Sequence, residues 1–153
     1  MAPQSGLKEK LYKKCQKIIE GRINSANEAI EAARSAANAE TKSSAGDKYE
    51  TGRAMMQLEQ ERLSVQLSEA LKLKKTLDQT KPDQANKDIA LGSLAITNHG
   101  SFYISVSLGA IDIVNKTYMA ISLATPIGKQ LNGKKAQDDF VFNGRQYTIL
   151  EVY

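Results

Sequence analysis

The sequence predicts an α+β protein: a long antiparallel two-helix coiled-coil hairpin followed by a small antiparallel β-rich domain with one short helix. Three observations predict it. Apolar residues recur every three or four positions through the first half of the chain. A stretch with a proline and few apolar residues then interrupts, Thr80 to Asp88. Beyond it the apolar period falls to two, with turn residues between the segments. The expected organisation is a hairpin over residues 1–80, a linker over 81–88 and a β-rich domain over 89–153.

The first arm runs from about Leu7 to Lys42. Its stripe reads Leu7, Leu11, Cys15, Ile18, Ala26, Ile30, Ala33 and Ala37, broadened near the base by Tyr12, Ile19 and Ile23. Toward its end the stripe becomes alanine-rich, which favours helix and lets a partner approach closely. The second arm, about Ala45 to Gln79, places Tyr49, Met56, Leu63, Ala70 and Leu77 at intervals of seven, extended by Leu67 and Leu71. Seven-residue spacing over several turns marks a helix–helix seam. Arms of roughly 35 residues would reach on the order of 50 Å at the helical rise. Between them Ser43-Ser44-Ala45-Gly46-Asp47-Lys48-Tyr49-Glu50 supplies the small residues of a turn, so the tip falls near 43–50.

In the second half, Leu94–Thr97, Phe102–Val106, Ala110–Val114 and Tyr118–Ser122 read as strands, with Asn115-Lys116 as a turn. Thr125 as N-cap, Pro126 at the first position and Gly133 as the stop delimit a short helix. Phe140-Val141-Phe142, Asn143-Gly144 and Arg145 to Val152 form a hairpin, Asn-Gly being suited to a two-residue turn. About 65 residues is a marginal size for independent folding, so packing against the base of the helices would help.

Composition excludes several classes of function. No run approaches the roughly 18 apolar residues of a membrane span. The N-terminal Met1 to Gly6 lacks an apolar core of a signal peptide, and the lone Cys15 fits a reducing compartment, so a cytoplasmic protein is expected. Net charge is +4, with 14 basic against 11 acidic residues in 1–80 and 7 against 6 in 81–153. The signs interleave, which argues against specific duplex DNA binding. Cys15 has no partner histidine and falls on the seam; His99, the only histidine, sits in a turn without further ligands. Thiol, triad and zinc chemistries are thereby excluded. Phe102, Tyr103, Tyr118 and Tyr147 could stack on bases, although alternating strand positions more often supply core.

The remaining candidates are Asp47 and Glu50, three apart on one helix face at the tip. Such carboxylates can offer oxygen ligands to Mg²⁺ and orient a metal-bound water if a partner completes the site. The alternative is structural: acidic residues in a first helical turn favour the helix dipole, and Ser44-x-x-Asp47 is close to a capping box. Lys42, Lys48 and Arg53 lie nearby and would partly neutralise the pair.

The order of these parts resembles the Gre family of bacterial transcript-cleavage factors. Ile121-Ser122-Leu123-Ala124-Thr125-Pro126-Ile127-Gly128-Lys129-Gln130-Leu131-Asn132-Gly133-Lys134-Lys135 is similar to the family's I-S-x-x-S-P-[IL]-[AG]-x-x-L-[IL]-G-[KR] segment. Tyr147 to Tyr153 resembles its Y-x-I-x-x-[IV] ending, and Leu91-Gly92-Ser93 the start of its first strand. Gly46-Asp47-Lys48-Tyr49-Glu50 fits its G-D-L-x-E tip. The chain departs from the pattern at Thr51-Gly52-Arg53-Ala54 and at Gln137, where Gly is common. Aligning Tyr49 with the family's following tyrosine instead puts Lys42 and Ala45 at the acidic positions.

The resemblance implies an FKBP-like C-terminal domain that docks on RNA polymerase, with Ser122, Thr125 and Pro126 as partner-binding residues. It implies a hairpin that enters the secondary channel, with transient contact to the RNA 3′ end. Asp47 and Glu50 would share Mg²⁺ with the polymerase and promote its cleavage of backtracked RNA, the chain having no cofactor and no enzymatic activity of its own. Two rivals remain: a polymerase-binding regulator without cleavage, and a coiled-coil interaction module unrelated to polymerase.

Overall fold

The computed structural model describes the backbone of residues 2–43, 47–80, 82 and 84–153, and the side chains of 6–39, 51–80, 82 and 84–153. Two long helices come first, α1 over Ala2–Ser43 and α2 over Asp47–Asp78. The residues that would join them lie outside the described residues. Packing divides the chain into two compact units: Ile18–Lys74, and Met1–Lys17 together with Lys75–Tyr153.

Within Ile18–Lys74 the helices lie side by side. Ile18, Gly21, Arg22 and Ser25 of α1 share a cleft with Gln66, Glu69, Ala70 and Leu73 of α2. Ile19, Ala26, Leu63 and Ala70 are buried, and Met56 is half-buried. The seven-residue spacing therefore selects the inward face of α2. Leu71 does not extend that seam: it is 47% exposed, because it sits one position round the helix from Ala70. Along α1 burial fades from Ala26, fully buried, to Ala33 and Ala37, half-buried. Small side chains cover less of their neighbours than the isoleucines nearer the base.

The other unit holds six strands: β1 Leu94–Thr97, β2 Gly100–Ile104, β3 Gly109–Ile113, β4 Lys116–Ile121, β5 Asp139–Phe142 and β6 Arg145–Val152, with the short helix α3 over Pro126–Leu131. Their order in the sheet is β3-β4-β2-β1-β6-β5. The sheet is mixed, which corrects the antiparallel expectation. β2 pairs in parallel with β4, through Phe102↔Met119 and Ile104↔Ile121. The reason is topological. The β3–β4 hairpin folds back so that β4, not β3, reaches β2, and consecutive strands need not be neighbours.

The β3–β4 turn also shifts by one residue from the Asn115-Lys116 expected. Its two central residues are Val114 and Asn115, with φ of 45° and 64°. Asn143 and Gly144, at 54° and 74°, make the β5–β6 turn as the Asn-Gly pair predicts.

Strand alternation gives the sheet two buried faces. One carries Ala95, Phe102, Ile104, Ile121, Phe140, Tyr147 and Ile149, closed by Ile89 and by Leu131 of α3. Tyr147 stacks on Phe140 with centroids 5.0 Å apart. By register, Leu94, Tyr103, Ile111, Ile113 and Tyr118 point to the opposite face. There the first turns of α1 pack, with Leu11 and Cys15 both fully buried. Lys8 donates to the Gln84 carbonyl at 2.5 Å. Thus the base of α1 belongs to the core of the β-containing unit.

Two polar atoms on this face, Tyr103 OH and Ser105 Oγ, are buried without a hydrogen-bond partner. Ser105 lies beside the Cys15 thiol and draws its pKa down, against the larger opposing effect of burial. A buried unpaired hydroxyl carries its desolvation cost uncompensated. Tyr103→Phe is therefore expected to leave the fold intact and to raise stability by about 1 kcal/mol in denaturant titrations. A loss of comparable size would show that the hydroxyl has a partner. Among the described residues no helix is long and apolar enough to cross a membrane.

Candidate functional site

The corner between β4 and α3 is built by local hydrogen bonds. Thr125, extended at φ −70° and ψ 156°, caps α3: its Oγ1 accepts from Gly128 N–H at 3.1 Å. The same hydroxyl donates to the Ser122 carbonyl at 2.8 Å. Pro126 takes the first helical position, where its fixed φ suits the helix and no N–H is needed. Ser122 Oγ accepts from Ala124 N–H at 3.3 Å, and Ser122 N–H donates to Ser107 Oγ at 3.1 Å. Ser122, Thr125 and Pro126 are thus brought together. Thr125's hydroxyl is occupied by the cap, while Pro126 is exposed. Gly128 leaves no room for a side chain, since a Cβ would lie 2.1 Å from the Ser122 carbonyl oxygen. An alanine here would require the corner to shift. Below, Leu131 anchors α3 in the core, and Gly133 N–H donates to the Ile89 carbonyl at 2.8 Å.

The second candidate is the tip. The side chains of Asp47, Glu50, Lys42 and Lys48 lie outside the described residues. Arg53, in α2, is exposed. Among the described residues no group of three or more His, Cys, Asp or Glu could hold a metal ion.

The other sequence candidates have structural places. Burial pushes the Cys15 thiol up to about 11, so it is protonated and unreactive near neutral pH. His99 meets Tyr147 edge-on at 5.3 Å, and its N–H donates to Thr97 Oγ1 at 3.1 Å. Phe102, Tyr103, Tyr118 and Tyr147 are all buried. They are core, and no stacking platform is open among them.

One feature escaped the sequence reading. Lys10, Lys13, Lys14 and Lys17 of α1 line a cleft of about 440 Å³ with Asp112, Ile113 and Val114 of β3 and its turn. The lysine spacing was visible; that a strained valine would face it was not.

No model of a known protein family matches the chain, and no curated protein matches it in sequence at a significant level.

Proposed function

We propose that this chain is a Gre-like, cytoplasmic transcription elongation factor that binds bacterial RNA polymerase. In this reading the sheet and α3 form an FKBP-like docking domain, and α1 with α2 forms a coiled-coil hairpin that enters the secondary channel. The observation that carries it is the order of parts: two long paired helices leading into a sheet whose α3 corner is made by the Ile121–Lys135 segment. A second observation supports it. Gln137 holds φ at 80°, a conformation that favours glycine, at the place where the Gre pattern commonly has Gly.

Asp47 and Glu50 would be the working groups of the tip. Carboxylates are hard oxygen donors of the kind Mg²⁺ takes, and two of them leave most positions to the partner. When bound, the ion would supply charge stabilisation and a more acidic water. This chain's residues would hold and orient; the hydrolysis is the polymerase's own. Ser122 and Pro126 would contribute to docking, with Thr125 holding their corner in shape.

The test is a backtracked elongation complex. The wild-type chain is expected to bind polymerase and shorten the RNA. Asp47→Ala with Glu50→Ala should bind equally and lose stimulated cleavage by on the order of 100-fold, the scale of removing one electrostatic element from an active site. Retained cleavage by the double variant would sink the carboxylate mechanism. Slowed elongation with no shortening by wild type would leave a non-cleaving regulator, and failure to bind polymerase would leave an interaction module.

A further inference from the structure

We infer that the cleft between the base of α1 and the β3–β4 turn is a docking site for an acidic segment of a partner protein that carries one apolar side chain. This does not depend on polymerase or on the tip.

The charge is one-sided. Residues 7–17 contain five lysines and a single glutamate, Glu9. Lys10, Lys13, Lys14 and Lys17 recur at i, i+3, i+4 and i+7, which is one helix face, and all four are exposed. Lys13 meets Glu9 at 3.5 Å. Among the described residues, Lys10, Lys14 and Lys17 have no carboxylate within ion-pair distance. Among the described residues Asp112 is the one carboxylate lining the cleft, and it accepts from Thr117 Oγ1 at 2.6 Å. Like charges at these spacings destabilise a helix, so the fold gains nothing from them.

The floor is apolar. Ile113 and Val114 supply it, and lysine stems widen it. Val114 is 80% exposed at φ 45°, in a region that a β-branched side chain disfavours. The same chain makes the two-residue β5–β6 turn, also at positive φ, with Asn143-Gly144, residues that tolerate that region. Valine at 114 therefore serves neither burial nor turn geometry. A strained, solvent-facing apolar residue beside a lysine face is what a partner with complementary charge and one apolar anchor would cover. Nucleic acid fits less well: Asp112 opposes phosphate, and Tyr118, the aromatic of β4, is only 4% exposed.

The probe is a fluorescein-labelled Glu-Glu-Asp-Leu-Asp-Glu-Glu peptide, titrated into the full chain at low salt. Anisotropy gives affinity, and amide chemical shifts locate the contact. We expect shifts confined to residues 10–17 and 112–115, and binding that weakens as salt screens the charges. Lys14→Glu with Lys17→Glu should reduce affinity about tenfold. Val114→Asn should reduce it roughly threefold while raising the melting temperature, because it removes strain and anchor together. Four results would overturn the proposal: shifts located elsewhere or absent, equal binding by the Gln/Asn version of the peptide, full affinity in Val114→Asn, or tighter binding of an oligouridylate of equal charge that the lysine reversals abolish.

Discussion

Leu11→Ala is expected to destabilise the β-containing unit by about 3 kcal/mol and to lower its melting temperature by roughly 15 °C. By sequence Leu11 is one more apolar position on a long helix. In the structure it is fully buried, one turn before Cys15, on the stretch of α1 that packs on the Tyr103 face of the sheet. Truncation there removes apolar contact and leaves a cavity that a sheet cannot readily collapse to fill. Leu58→Ala makes the control. Leu58 is 66% exposed on α2, and its loss should change stability by less than about 0.5 kcal/mol. Thermal melts followed by circular dichroism compare the two. Equal melting points would mean that the first turns of α1 are not part of the core.

Alkaline pH is expected to destabilise the same unit from about pH 9 upward. Burial pushes the Cys15 thiol from 9.0 up to about 11, so between those values the unfolded chain loses a proton that the folded chain keeps. The folded state then binds more protons, and stability falls as pH rises, by about 2–3 kcal/mol over the interval. Below pH 9 both states hold the proton and this dependence vanishes. Tyr103 acts in the same direction: burial raises its pKa above 10.0, and the neighbouring Cys15 and Tyr12 add to the rise. Urea titrations at a series of pH values measure the slope. Cys15→Ala should flatten it between pH 9 and 10, where the tyrosine contributes little. A variant curve as steep as wild type in that interval would exclude the thiol.

Much of the fold was legible because local chemistry is strong where the chain changes direction. Thr125, Pro126 and Gly133 bound α3, and Asn143-Gly144 turns β5 into β6, since each residue's backbone preference agrees with its place. The buried face of α2 was legible from seven-residue spacing. Leu71 misled because an apolar side chain one position off the seam has the same composition signal and a different direction. The β3–β4 turn misled because valine gives no signal for positive φ. For the candidate sites, the Ser122–Pro126 corner could be read from its motif, whereas the cation cleft required two segments about 100 residues apart to meet.

By itself the sequence determined the element types, the two-helix arrangement, the capping of α3 and the α+β class, all of which rest on periodicity and on neighbours within a few residues. Only the tertiary structure decided three things: that β4 pairs in parallel with β2, that the first turns of α1 join the β-containing unit, and that Val114 faces a row of lysines. Each depends on which distant surfaces bury one another. Hydrophobic burial is non-directional, so a local pattern names the face that must be covered without naming what covers it.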